Sequence, residues 1–155
     1  RLLIEAPKKN NNEIVNAVTT VLHANDFEIV ENGEEMLVER IKIILIEQLQ
    51  ELPLHLKLKT SELLASNLHK DYKALSKLFS ANEKTTIEKY FIKLKIEKVK
   101  ELIQLKQYSF SDIGYILDYS SVNHLSRQFK EVVGMSMTDY KNTENWKRNF
   151  YDEII

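Results

Sequence analysis

The residues best suited to recognition chemistry lie close together, from Ser121 to Gln128. Four of them share one side of an expected helix: Asn123, His124, Arg127 and Gln128. Asn and Gln amides match the major-groove edge of adenine, and an Arg guanidinium can donate two hydrogen bonds to guanine. Ser121, at the start of the helix, suits a phosphate because the first N–H groups of a helix have no partner within it. The pattern is therefore typical of a surface that reads double-stranded DNA.

A helix over residues 121–133 would place these polar residues on its outer face. Apolar residues recur on the opposite face at the spacing of an amphipathic helix. We expect this inward face to comprise Leu125, Phe129, Val132 and Val133, packed against Ile113, Ile116 and Leu117. Tyr119, just before the helix, is expected to join the core rather than a contact surface.

From Leu58 onward the chain repeats itself without gaps at an offset of 50 residues. The clearest match pairs LSKLF at 75–79 with LSRQF at 125–129. Each copy predicts a first helix, a short turn and a second helix, which is the helix-turn-helix arrangement. In the first copy, the outer face of the second helix holds Tyr72, Lys73, Ser76 and Lys77. Its lysines favour phosphate contacts, with one guanine contact left open.

Capping residues indicate where the helices begin. A capping box pairs an N-cap hydroxyl with a carboxylate three residues later. We expect three such boxes: Thr85 with Glu88, Ser109 with Asp112, and Ser136 with Asp139. Ser120 or Ser121 is expected to cap the second helix of the second copy. The predicted helices are 61–67 and 71–81 in the first copy, 112–117 and 121–133 in the second, and a short final helix through Tyr140, followed by Trp146 and Phe150 as packing residues.

A long helix is predicted between the two copies. From Ile87 to Lys106 it has 20 residues, and it would be about 30 Å long. Successive major-groove segments on one side of B-DNA lie about 34–36 Å apart. A rigid helix of this length could hold two reading helices one DNA turn apart. Its lysines, Lys93, Lys95, Lys98 and Lys100, are expected to form a solvated face.

The first 53 residues predict a small α+β segment. Apolar stretches at 2–5 and 27–31 favour strands, and residues 13–25 favour a helix. The helix 34–52, ended by Pro53, is the most apolar of the chain; its stripe is Leu37, Ile41, Ile44, Leu45 and Leu49, widened by Ile43 and Ile46. Such a helix is either an ordinary core helix or the interface of a homodimer, and the pattern leaves both open.

Composition and charge narrow the class of protein. With three Gly, two Pro and no Cys among 155 residues, the chain favours helices and has neither disulfides nor thiolate metal sites. Residues 1–56 carry five Lys and Arg against ten Asp and Glu, whereas residues 57–155 carry 17 against 13. The basic C-terminal part suits a polyanion.

Several functions are not expected. The four histidines, His23, His55, His69 and His124, have no metal-site spacing, and there is no Gly-rich phosphate loop. We therefore expect no enzyme, no bound metal and no cofactor. No apolar run approaches the roughly 20 residues of a membrane span, and we expect a cytoplasmic location. Because the first residue is Arg rather than Met, we expect a longer natural chain.

Residues 58–141 resemble the DNA-binding domain of AraC-type transcription regulators, which consists of two helix-turn-helix units joined by a long helix. The family signature begins IA and continues with GF, FxxxFK and G-x-s-P-x-x-[YF]-R. The matching positions are Ile113-Gly114, Asp118-Tyr119, Leu125, Phe129-Lys130, Gly134 and Tyr140-Lys141. The departures are Gly114 for Ala, Asp118 for Gly, Leu125 for Phe and Met137 for Pro. Asp118 suits a turn with positive φ.

The resemblance implies a bacterial transcription regulator that binds double-stranded DNA, with RNA polymerase left open as a second partner. By position it implies base reading at Lys73, Ser76, Lys77, Val122, Asn123, His124 and Arg127. Residues 1–53 resemble, less clearly, the second half of a heavy-metal-associated, ferredoxin-like domain. The half with the CxxC metal loop is missing, so the resemblance assigns no metal.

The sequence thus predicts a mainly α protein: a tandem helix-turn-helix with a small N-terminal α+β segment. A sensor or dimerisation segment is expected at 1–53 and a DNA-binding domain at 54–155, with helix-turn-helix units at about 58–82 and 109–133 and a linker helix at about 86–106. The expected DNA contacts are Tyr72, Lys73, Ser76, Lys77, Ser121, Val122, Asn123, His124, Arg127 and Gln128. The alternative is a protein-interaction helical scaffold without DNA binding, which predicts acidic or apolar outer faces at 71–81 and 121–133.

Overall fold

Seven helices make up the residues that the computed structural model describes, 33–54 and 59–143, and no strand occurs among them. In chain order they are α1 Gly33–Gln48, α2 Thr60–Leu68, α3 Tyr72–Glu83, α4 Ile87–Gln104, α5 Phe110–Ile116, α6 Val122–Val133 and α7 Met137–Asn142. The mainly α prediction is confirmed. The predicted strands at 2–5 and 27–31, the helix at 13–25, His23, His55, Trp146 and Phe150 lie outside the described residues.

The helices form two pairs around the long helix α4. Helix α2 packs against α3, and α5 packs against α6; α4 contacts α3, α5 and α6, while α7 packs on α6. All of these helices, together with α1 from Glu34 onward, belong to one compact unit that begins at Glu34. The predicted domain boundary between residues 53 and 54 stays a prediction.

The 50-residue repeat extends to the helix ends. N-caps correspond in three pairs, Lys59 with Ser109, Asp71 with Ser121, and Thr86 with Ser136. The capping boxes or caps predicted at Ser109, Ser121 and Ser136 are confirmed. The cap predicted at Thr85 is wrong, because buried Ile87 is the first helical residue and the hydroxyl of Thr86 accepts the N–H of Lys89 at 3.2 Å.

The turns inside the two pairs differ by one residue. The chain enters the left-handed region at His69 in the first pair, with φ of 50°, and at Asp118 in the second, with φ of 56°. In both, the following N–H bonds to a carbonyl five residues earlier, from Lys70 to Ala65 and from Tyr119 to Gly114. The positive φ expected at Asp118 is therefore confirmed.

Helix α4 is buried on nearly every side. Its fully covered residues include Ile87, Leu94, Ile96 and Val99, which cannot all lie on one face of a helix. The expectation that its lysines form a solvated face is wrong for Lys100, which is only 8% exposed. Lys100 is neutralised there by an ion pair to the equally buried Glu97, at 2.6 Å.

Lys95 also departs from the expected solvated face. Its ammonium lies over the ring of Tyr119, 4.1 Å from the centroid. Both departures have one cause: helices of both pairs pack on α4 and buried residues surround most of it, so amphipathic spacing does not mark a free face.

Helix α1 ends at Gln48, four residues before the predicted end at Leu52. Short backbone bonds from Leu49 to Ile46 and from Gln50 to Glu47 tighten the chain there. The chain must leave the helix axis early because Leu54 is buried and its N–H bonds to the Ile116 carbonyl at the end of α5, at 2.6 Å.

The apolar stripe of α1 is buried within its own chain. Ile41, Leu45 and Leu49 are covered almost completely, and Leu37, Ile44 and Ile46 are partly buried against the same core. Lys42 of α1 also pairs with Glu83 at the end of α3, at 2.9 Å. The core-helix interpretation therefore accounts for the inward face of α1.

Two glycines predict opposite effects of adding a methyl group. A Cβ at Gly114, inside α5, would lie 3.8 Å from the Leu125 side chain, an ordinary contact. We expect Gly114→Ala to raise the free energy of unfolding by about 0.5–1 kcal/mol, because alanine loses less backbone entropy in a helix.

Gly134→Ala should instead lower the free energy of unfolding by about 1–2 kcal/mol. Gly134 has φ of +84°, a left-handed conformation that disfavours any residue with a Cβ. Urea denaturation of both variants measures these changes; effects of the same sign would contradict the two backbone assignments.

Candidate nucleic-acid interface

Helix α6 is fixed at both ends and anchored by two buried side chains. The Ser121 hydroxyl accepts the N–H of His124 at 3.1 Å, and Gly134 ends the helix in the left-handed region. Leu125 and Phe129 are fully buried beneath it. The expected inward position of Val132 is wrong: its side chain is 42% exposed, because in the last turn Val133 takes the inward position.

The outer face of α6 presents the side chains that the sequence predicts. Asn123 and Arg127, four residues apart, are exposed, and so is Ser121 at the N-terminus. Residues four apart on a helix lie on the same side, one turn above the other. An amide and a guanidinium thus lie side by side, and among the described residues neither side chain forms a hydrogen bond or an ion pair. Val122, expected at this surface by resemblance, is half-buried and packs at the edge of the core.

His124 and Gln128 form the flank of this face, and both touch Tyr119. The Tyr119 hydroxyl donates to Gln128 Oε1 at 2.7 Å, and its ring meets the His124 ring edge-on at 5.4 Å. The Ser120 hydroxyl lies 3.2 Å from His124 Nδ1. Both flanking side chains are half-buried, so they are more constrained than Asn123 and Arg127.

Tyr119 is held in turn by a lysine from α4. Lys95 Nζ lies 4.1 Å from the ring centroid, a cation–π geometry. Burial lowers the pKa of Lys95 to about 8, while the nearby Asp118 carboxylate opposes that shift. Burial also raises the pKa of the Tyr119 hydroxyl, which therefore stays a hydrogen-bond donor. These contacts were missed from the sequence, where an aromatic residue before the cap indicates only core packing.

Helix α3 is built in the same way but presents different chemistry. Asp71 caps it by accepting the N–H of Ala74, and Leu75 and Phe79 are buried. Lys73 and Lys77 are exposed one turn apart on its outer face. Two ammonium groups without amides between them suit phosphates better than base edges.

The two remaining residues predicted on α3 are less accessible. Ser76 is half-buried beside Lys77. The Tyr72 hydroxyl donates to the Glu88 carboxylate in the first turn of α4. That hydrogen bond lowers the pKa of Glu88, and burial, with Glu88 nearby, raises the pKa of Tyr72. Tyr72 thus ties the start of α3 to α4 rather than standing free on the outer face.

The predicted residues therefore form two groups, one on α3 and one on α6. Each second helix of a pair carries an exposed basic face: Lys73 and Lys77 on α3, and Arg127 with Asn123 on α6. Neither face is acidic or apolar, as a protein-interaction scaffold would require. In the described ranges 33–54 and 59–143, no His, Asp and Glu side chains gather as a metal site would need. This fold and these faces define a tandem helix-turn-helix DNA-binding domain.

Comparisons with known proteins agree with this class. A family model described as a helix-turn-helix domain matches residues 64–143. The probable transcriptional regulator LumQ of Photobacterium leiognathi is 28% identical over 108 residues, covering 70% of this chain and 43% of that protein. The C-terminal domain of AraT, a response regulator from Geobacillus stearothermophilus, has a similar fold, with a TM-score of 0.59, 18% identity and coverage of 75% of this chain and 95% of that one.

The chain belongs to the AraC-type helix-turn-helix domain family, whose members are DNA-binding transcription regulators. It spans less than half the length of the curated relative that it matches. The comparisons do not support the scaffold alternative. The family model begins at residue 64, so the resemblance of residues 1–53 to a heavy-metal-associated domain stays a prediction.

Arg127 provides the sharpest test of the α6 face. Arg127→Ala should weaken specific DNA binding by about 1–3 kcal/mol, because a bidentate base contact is lost. Arg127→Lys keeps the charge but not the planar fork, so it should lose base preference while keeping the salt dependence. Mobility-shift titrations at fixed salt measure both. Unchanged affinity of Arg127→Ala for its preferred site would remove Arg127 from the interface.

Proposed function

We propose that the chain is a sequence-specific DNA-binding transcription regulator that places α3 and α6 in two adjacent major-groove segments of double-stranded DNA. The proposal is carried by one observation: α3 and α6 begin at similar caps, each has an exposed basic face, and both pack against the same buried helix, α4. Helix-turn-helix proteins insert the second helix of each pair into the major groove. The proposed contacts are Lys73, Ser76, Lys77, Ser121, Asn123, His124, Arg127 and Gln128, with Arg127 and Asn123 reading bases; Tyr72 and Val122, which pack against the core, are left out.

The length of α4 supports reading within one turn of DNA. Its 18 residues span about 27 Å, slightly less than the 30 Å expected from the sequence. The first helix pair meets the first turn of α4, where Tyr72 bonds to Glu88, and the second meets it further along, where Lys95 lies over Tyr119. Adjacent major-groove segments on one face of DNA are about 34–36 Å apart, a distance comparable to the length of α4, so we expect one chain to reach both without bending α4.

The side chains of α3 and α6 suit different parts of the DNA. On α6, the Arg127 guanidinium can donate to O6 and N7 of guanine, and the Asn123 amide can pair with adenine. The N-terminus of α6 with Ser121 faces a phosphate. On α3, Lys73 and Lys77 neutralise phosphates and fix the position of the domain along the groove. We expect α6 to contribute more of the base preference and α3 more of the electrostatic affinity.

Three further proposals concern partners and location. A homodimer through residues 34–52 would have to use the outer face of α1, where Met36 is 56% exposed, because the inner face is covered; a concentration-independent monomer mass in sedimentation would contradict it. RNA polymerase is proposed as a protein partner on family grounds, and a cytoplasmic location follows from access to DNA. None of the described helices is long and apolar enough to cross a membrane.

Selection from a random DNA pool tests the proposed function. The protein should enrich a motif with two conserved segments whose centres lie about 10 base pairs apart, one segment for each reading helix. Substituting Arg127 should degrade one segment and leave the other intact. Enrichment of no motif would contradict sequence-specific binding by this chain.

Salt dependence tests the part assigned to α3. Lys73→Ala and Lys77→Ala should each reduce the slope of log affinity against log salt concentration by about one, because one phosphate contact is lost. Arg40→Ala is the matched control: it removes one exposed positive charge from α1, outside both helix pairs. Equal slopes in all three variants and the parent would contradict phosphate contacts by α3.

A further inference from the structure

Tyr119, in the turn between α5 and α6, controls the side chains on one flank of the reading helix. Its hydroxyl donates to Gln128 Oε1 at 2.7 Å. The edge of its ring meets the His124 imidazole, with an angle of 77° between the two planes. One aromatic side chain outside α6 therefore touches two of the residues that α6 would offer to DNA.

The orientation of the Tyr119 hydroxyl is fixed by contacts of its ring with the core and with α4. The ring is partly buried against the core, and the Lys95 ammonium of α4 lies over it at 4.1 Å from the centroid. A cation centred over an aromatic face attracts the ring quadrupole, and the attraction grows where water is excluded. With the ring held between α4 and α6, its hydroxyl stays aimed at Gln128.

This contact gives the Gln128 amide a defined orientation. A glutamine amide has one carbonyl oxygen that accepts and one NH₂ group that donates, on opposite sides of the same carbon. Since the oxygen is turned toward Tyr119, the NH₂ group points in the other direction. A bidentate contact with adenine needs both the oxygen and the NH₂ group, whereas guanine offers only acceptors, N7 and O6, on its major-groove edge.

We propose that Tyr119 is a positioning residue that presents Gln128 to DNA as a hydrogen-bond donor, and thereby makes α6 prefer guanine over adenine at one base position. The inference rests on the proposed function and adds a specificity determinant outside the reading helix. Tyr119 itself touches no base in this arrangement; it acts through Gln128.

The first helix pair has no counterpart of this device. At the offset of 50 residues, Gln128 corresponds to Leu78, which is partly buried and has no hydrogen-bonding side chain. Tyr119 corresponds to His69, which is exposed at the left-handed end of α2. Two residues separate the left-handed His69 from the start of α3, whereas three separate the left-handed Asp118 from the start of α6. Tyr119 is the first of these three residues. The contact between a turn tyrosine and a glutamine of the reading helix therefore occurs only in the helix pair of α5 and α6, among the residues that the structure describes.

Selection from a random DNA pool, carried out with the full chain and with four variants of it, tests the proposal. Tyr119→Phe removes the hydroxyl and keeps the ring, and Tyr115→Phe is the control, because Tyr115 is 71% exposed on α5. Tyr119→Phe should admit adenine at one position of the α6 segment and lower affinity for the parent's preferred site about two- to tenfold, the effect of one hydrogen bond. Tyr115→Phe should enrich the parent motif.

Gln128→Ala shows whether Tyr119 acts through Gln128. It should lose base preference at the same single position, and Tyr119→Phe added to it should cause no further change in motif or affinity. A merely structural tyrosine would instead lower affinity for all sites equally in both backgrounds. Thermal unfolding of each variant confirms that it is folded at the selection temperature.

The remaining outcomes overturn the proposal. An unchanged motif for Tyr119→Phe, or a uniform loss of affinity without a change in base preference, removes Tyr119 as a specificity determinant while leaving the DNA-binding function standing. If the parent protein itself enriches no motif, the proposed function fails and this inference fails with it.

Discussion

The burial of α4 on nearly every side is the constraint on which the rest of the structure depends. Each helix pair is too small to enclose a core alone, since α2 and α5 have only nine and seven residues. Both pairs pack against the same helix, α4, whose Leu94 and Ile96 are fully buried. A continuous helix transmits position better than a loop, so the shared core also sets the separation of the two exposed faces.

Repetition of one unit explains the common backbone, and its imperfections explain the different chemistry. The caps recur every 50 residues because each pair needs the same helix starts and stops. The outer faces were free to diverge, into lysines on α3 and into an amide and a guanidinium on α6. The turns also diverged, and only the second brings an aromatic hydroxyl to the reading helix.

The sequence predicted those features that depend on local spacing. Helix boundaries fall within two residues of the prediction except at the end of α1, and the caps at Ser109, Ser121 and Ser136 are confirmed. The exposure of Arg127 and Lys77 followed from periodicity alone, although their contact with DNA stays a prediction. Features that depend on tertiary neighbours were missed: the placement of Lys95 over Tyr119, the burial of Lys100 beside Glu97, and the hydrogen bond from Tyr119 to Gln128.

In the function that we propose, one rigid helix sets two reading helices about one turn of DNA apart. The most direct measurement is the affinity of the chain for its selected site after insertion of base pairs between the two segments. An insertion of about five base pairs puts the segments on opposite faces of the duplex. We expect the chain to bind this site no better than a site with a single intact segment. Undiminished affinity would contradict a fixed separation by α4.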